Sequence, residues 1–105
     1  FVLPSQTEGL PRAMTQAMAR ALPCIGTHVG GIPELLSPED MVPPGDATML
    51  AGLIADVVRN PARQAEMSAR NLAKAREYHD AVLRQRRNAF YAYVKEQTER
   101  WLTNR

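Results

Sequence analysis

Glu8-Gly9-Leu10-Pro11, followed by Arg12 to Leu22, is the stretch on which the reading of this chain turns. Upstream, the apolar run Phe1-Val2-Leu3-Pro4 ends in the polar turn Ser5-Gln6-Thr7. Downstream comes a segment rich in Ala, Met and Leu. The order reads as strand, loop, helix. Pro11 suits the first turn of a helix, where its missing N–H costs nothing. Beyond it, the N–H groups of Arg12, Ala13 and Met14 have no acceptor inside the helix and sit at the positive end of its dipole. A strand, a glycine-containing loop and an open helix N-terminus make a candidate anion site, above all for phosphate. Gly9 has no side chain, so a ligand can lie against the backbone there. Glu8 stands at the rim. A carboxylate beside phosphate is electrostatically awkward; it is better matched to hydroxyl groups or to developing positive charge. On these residues alone, an exposed loop acid and a plain helix start describe the stretch equally well.

The same segment carries a helical apolar stripe, Leu10, Met14, Ala17, Met18 and Ala21, with Arg12, Gln16 and Arg20 on a different face. Leu22-Pro23 ends the helix, and Cys24-Ile25-Gly26-Thr27 reads as the next strand. Two strands joined by a helix are expected to run parallel, with a right-handed crossover. Ligands of such sheets lie outside the carboxyl ends of the strands. That rule brings Ser5–Glu8 and Thr27–Gly31 to one edge. Gly30 and Gly31 permit positive φ and a close backbone approach. Pro33 starts a short helix to about Leu36, whose dipole Glu34 can complement. His28 is the only histidine near this edge, but a lone loop histidine is ordinarily a surface residue, and it is left out of the site.

Further along, Met41-Val42-Pro43 reads as a brief edge strand, since proline denies it central pairing. Asp46 is placed as the N-cap of a helix in which Met49, Leu50, Leu53, Ile54, Val57 and Val58 recur at helical spacing. Asn60-Pro61 stops it and opens another helix, from about Ala62 to Tyr78. The thin apolar face of that helix, Ala65, Ala69 and Leu72, predicts greater exposure. A last helix, from Asp80 to about Leu102, puts Phe90, Tyr93, Val94, Gln97 and Trp101 on one face and carries Arg84, Arg86 and Arg87.

The 105 residues suffice for one small domain, and 45% hydrophobic content fits a globular one. The chain does not start with Met, and residue 1 lies inside an apolar run, so the sequence reads as a fragment of a longer protein. No apolar run approaches the ~20 residues that span a bilayer. Cys24 is the only cysteine, which excludes a disulfide framework and suggests a small core residue in a reducing compartment. Net charge is +2 but uneven. Residues 1–58 hold two basic and six acidic side chains; residues 59–105 hold eleven basic and five acidic. A basic helical end is most often a solvated face, and it can also meet anionic lipid. No nucleic-acid-binding signature, metal-ligand spacing or Ser/His/Asp set is present.

Five stretches occur in one order: Phe1-Val-Leu-Pro-Ser, Glu8-Gly-Leu-Pro, Ala17-Met-Ala-Arg-Ala-Leu-Pro-Cys-Ile-Gly-Thr, Val29-Gly-Gly-Ile-Pro-Glu34 and Val42-Pro-Pro-Gly-Asp46. Together they resemble the C-terminal, donor-binding domain of a retaining glycosyltransferase of family 4, with the two-Rossmann GT-B fold. The ordered set covers about half the chain.

The resemblance implies an α/β, partial Rossmann-like fold with short parallel strands, flanking helices and a long C-terminal helix. Residues 1–79 would be part of the nucleotide-sugar-binding domain. Residues 80–105 would be its C-terminal helix, able to cross back to an N-terminal domain outside this sequence. The alternative for that helix is packing on the domain's own core.

The implied activity is transfer of a sugar, of the hexosyl type, from a nucleoside-diphosphate sugar with retention. The first Glu of the family's Glu-x7-Glu motif falls on Glu8, as the catalytic residue near the donor sugar. The donor-binding set comprises Gly9 and Leu10 at the sugar, the amides of Arg12 and Ala13 at the diphosphate, Gln16, and Gly30 and Gly31. Gln16 is a departure, since the family has a second Glu there for the ribose; an amide can still accept and donate. The family's basic pair and its acceptor domain lie outside these residues, so the fragment alone is expected to be inactive.

No cofactor or metal is implied beyond the nucleotide-sugar co-substrate. The expected partners are that donor, an acceptor (glycan, lipid or small molecule) and the N-terminal domain, with no nucleic acid. The expected location is the cytoplasm, with peripheral contact at the inner face of a membrane admitted by the basic end. The alternative function is a non-catalytic nucleotide or nucleotide-sugar binding module.

Overall fold

The computed structural model describes residues 1–104. Three short parallel strands form one sheet in the order β1 (Val2–Leu3), β2 (Ile25–Thr27), β3 (Met41–Val42). Val2 pairs with Ile25 and Gly26 with Met41, so β2 is central and both flanking strands are edges. The β1–helix–β2 reading is correct. At this edge Val2 is exposed and Leu3 half-buried.

Helix α1 (Arg12–Ala19) and the short α2 (Ile32–Leu35) pack on one face of β2. Gly26 is what lets them close in. A Cβ there would stand 3.0 Å from Ile32 and 3.1 Å from the Met14 methyl. Met14, Met18, Cys24, Ile32, Leu35 and Leu36 form this core. Burial pushes the Cys24 thiol up to about 11, with the Asp40 carboxylate adding to the rise, so Cys24 stays a neutral core residue. On the other face, Ile25 meets Val57 of α3 (Ala47–Val58) and Met67 of α4 (Pro61–Arg76). Asp46 caps α3 as expected, accepting from the Met49 amide at 3.0 Å. The strong periodicity of α3 overstates its burial. Val57 alone is buried, Leu50, Leu53 and Ile54 are half-buried, and Met49 and Val58 face outward.

Helix α1 stops at Ala19, earlier than its apolar pattern suggests. Ala21 takes a left-handed φ of 58°. The Ala21 amide donates to the Met18 carbonyl at 2.9 Å and the Leu22 amide to the Ala17 carbonyl at 3.2 Å. This is a Schellman stop with alanine where glycine is usual.

Ala65 and Ala69 of α4 are exposed, as expected, and Leu72 is half-buried, but the helix packs through another face. Its side chains at Met67 and Asn71 are fully buried, and α1 is the element it packs against most closely. The packing face is partly polar. Gln64 donates to the carbonyls of Val57 and Val58, Ser68 to that of Ala21 at 2.6 Å, and Asn71 to that of Leu22 at 2.9 Å. The side chains of α4 thus bond to main-chain carbonyls where α1 and α3 end. Two α4 arginines also reach Asp40, which has no exposure. Arg63 meets one carboxylate oxygen at 3.2 Å and Arg70 the other at 2.5 Å, just before β3 begins.

Helix α5 (Asp80–Thr103) has no fully buried residue. Phe90, Tyr93 and Val94 are exposed, so of the two readings of this face, packing on the domain's own core does not hold. No helix among the described residues is long and apolar enough to cross a membrane.

Candidate functional site at the carboxyl edge of the sheet

The loops after β1 and β2 meet, as the parallel topology requires. Thr27, the last residue of β2 and buried, donates its hydroxyl to the Ser5 carbonyl at 2.5 Å. The Gly31 amide donates to the Gly9 carbonyl at 2.7 Å. The two glycines serve this contact. Gly30 has φ +52°, and a Cβ on it would fall 1.8 Å from the Glu8 carbonyl oxygen. A Cβ on Gly31 would lie 2.6 Å from the Gly9 carbonyl oxygen. Their close approach is to the main chain of the first loop. Gly9, by contrast, has open space where a side chain would be.

Glu8 is half-buried between these loops. Ser5 donates to its Oε2 at 2.6 Å, and Oε1 makes no hydrogen bond among the described residues. Pro11 is the N-cap of α1, with φ −74° and ψ 116°, and Arg12 is the first helical residue. The Pro11 carbonyl accepts from Thr15 at 3.2 Å. No side chain caps this end, so the first amides point outward unopposed. Arg12, Ala13 and Gln16 are exposed on the outer side of the helix, while Met14, Ala17 and Met18 hold it to the sheet. Leu10 leaves the expected stripe because it precedes the helix; its side chain leans on the second loop, 3.1 Å from where a Gly31 Cβ would be.

A shallow cavity of about 160 Å³ opens at the same edge, lined by Pro4, Gln6, Thr27, Pro43, Asp46 and Leu50 among others. It joins the ends of all three strands and shares the Ser5–Thr7 turn with the Glu8 loop, but Glu8, Gly9 and Arg12 do not line it. The loops are legible in the sequence, but their fastening is not. Ser5 three residues before an acid, and Thr27 at a strand end, were the available signals. Among the described residues no group of His, Cys, Asp or Glu side chains is placed to hold a metal ion.

The family model for Glycosyl transferases group 1 matches residues 1–76, which includes every residue of this edge. The chain belongs to the group 1 glycosyl transferases. The amylovoran biosynthesis glycosyltransferase AmsK of Erwinia amylovora is 40% identical to this glycosyl transferase chain over 63 residues, covering 51% of the chain and 16% of AmsK. The solved sucrose-phosphate synthase (tll1590) from Thermosynechococcus elongatus matches with a TM-score of 0.78 and 26% identity, over 90% of this chain and 25% of that one. The fold is accordingly that of a GT-B glycosyltransferase domain. The glycosyl transferase chain spans about a quarter or less of the length of either relative.

Proposed function

We propose that this chain supplies the donor-binding side of an enzyme that transfers a sugar from a nucleoside-diphosphate sugar, with retention at the anomeric carbon, as in family 4. The supporting observation is the meeting of the Glu8 loop with the uncapped start of α1 at the carboxyl edge of a parallel sheet. The amides of Arg12 and Ala13 bind the diphosphate, since open amides at the positive end of a helix dipole suit phosphate. Gly9, with open space beside it, lets the sugar lie against the loop, and the Leu10 backbone continues that wall. Glu8 takes a sugar hydroxyl and stabilises positive charge as the anomeric bond breaks, through the Oε1 that Ser5 leaves unoccupied. Gln16, exposed one turn beyond Arg12, takes the ribose. Gly30 and Gly31 belong to the site by fixing the loop that holds Glu8. The acceptor and its binding domain, together with charge neutralisation of the leaving diphosphate, lie outside these residues, so residues 1–105 alone transfer no sugar.

The test is a screen of nucleotide sugars against the full-length protein, with the anomeric configuration of the product read by NMR. Turnover with retention is expected. Nucleotide binding without turnover on any acceptor would instead favour a non-catalytic nucleotide-binding module, the reading that Gln16 in place of a ribose-binding carboxylate supports.

A further inference from the structure

We propose that Ser5 is a positioning residue for Glu8 and that Thr27 holds Ser5 in place. The proposal rests on the reading of Glu8 as the charge-bearing group. Its basis is a chain of hydrogen bonds that runs from the central strand to the carboxylate. Thr27 is 2% exposed and ends β2, which is paired on both sides. Its hydroxyl donates to the Ser5 carbonyl at 2.5 Å, across 22 residues of sequence. The Ser5 hydroxyl in turn donates to Glu8 Oε2 at 2.6 Å. That length is typical of a hydroxyl on an ionised carboxylate, among the stronger hydrogen bonds in proteins.

The loop is also pinned beyond the acid, by the Gly31 amide on the Gly9 carbonyl. Glu8 is therefore fixed at both ends of a five-residue loop, and its rotation is restrained through one oxygen. The other oxygen remains open. A carboxylate that must meet a charge present only in the transition state gains from such restraint, because misplacement by about 1 Å costs roughly 100-fold in rate. A loop tie serving only stability would need the Thr27 and Gly31 bonds. It would not need a donor on the carboxylate of a half-exposed acid, which water could solvate. Ser5 thus acts on turnover through Glu8 and not on donor binding.

The experiment uses the full-length protein and its nucleotide-sugar donor, and compares Ser5→Ala, Ser5→Thr, Glu8→Gln and the double variant Ser5→Ala/Glu8→Gln. Loss of one hydrogen bond to a charged group predicts a fall in kcat of roughly 10- to 100-fold for Ser5→Ala, with donor KM unchanged. Ser5→Thr, which keeps the hydroxyl, restores kcat. The double variant is no slower than Glu8→Gln, because Ser5 acts only through the carboxylate. Thr27→Val lowers kcat in the same direction and Thr27→Ser does not, which keeps the test open if Ser5→Ala folds poorly. A slow Glu8→Gln beside a Ser5→Ala of undiminished kcat overturns this proposal alone. Equal losses in kcat and donor affinity, or additive losses in the double variant, also overturn it. Undiminished turnover in Glu8→Gln removes the reading of Glu8, and this proposal with it.

Discussion

Helices α4 and α5 are adjacent in sequence, both polar and both rich in charge, yet they do opposite things. α4 buries Met67 and Asn71 and ties down three other segments: the end of α1 through Ser68 and Asn71, the end of α3 through Gln64, and the start of β3 through Arg63 and Arg70. α5 buries nothing fully and leaves Phe90, Tyr91 and Tyr93 about 60% exposed. The apolar content of the two would suggest the reverse. A helix can be built into a domain by donating to main-chain carbonyls at the ends of other helices. Each such carbonyl is costly to bury without a partner. Phe90, Tyr91 and Tyr93 of α5, however large, stay exposed.

The strongest test of that contrast is Asp40→Ala. It removes the fully buried partner of two α4 arginines. Breaking a buried pair costs about 3–5 kcal/mol, and because Arg63 and Arg70 reach water the low end, about 3 kcal/mol, is expected from denaturant unfolding of the full-length protein. A loss under about 1 kcal/mol would mean that the arginine clamp adds little to the apolar contacts and carbonyl hydrogen bonds of α4. Asn71→Ala comes next. It leaves the Leu22 carbonyl only the weak Cys24 thiol as donor and predicts a loss of about 2 kcal/mol by the same measurement. Ala21→Gly should move stability the other way, by about +1 kcal/mol, since glycine carries no penalty at the left-handed φ that ends α1. The smallest effect belongs to α5. Phe90→Ser and Tyr93→Ser should each shift stability by no more than about 0.5 kcal/mol in residues 1–105. A large loss there would show that α5 carries core packing after all.

Much of the architecture was legible because it follows from local rules. Pro11, Asp46 and Asn60 mark helix starts, and a strand–helix–strand order implies parallel pairing and a shared ligand edge. That logic also joined the Glu8 and Gly30 loops. The α4 face was not legible, because hydrophobic periodicity counts Gln64, Ser68 and Asn71 as solvent-facing; their acceptors lie up to 49 residues away in sequence. The end of α1 was misjudged because alanine at Ala21 hides a turn that glycine would have announced. The Asp40 clamp joins residues 23 and 30 apart, a spacing that no local pattern carries. At the site, the two glycines were legible as points of close backbone approach, and the main chain that they approach was not. They make room for another loop's main chain, with Glu8 as the residue being placed.

The placed carboxylate of Glu8 is proposed to act on charge that develops during transfer. Glu8→Gln in the full-length protein tests it most directly, with kcat measured under saturating donor and donor affinity measured separately by titration calorimetry. A fall in kcat of about 10²–10³-fold is expected, with donor affinity within a few-fold of the parent's. Undiminished kcat would contradict it and leave Glu8 at most a hydrogen bond that the amide also makes.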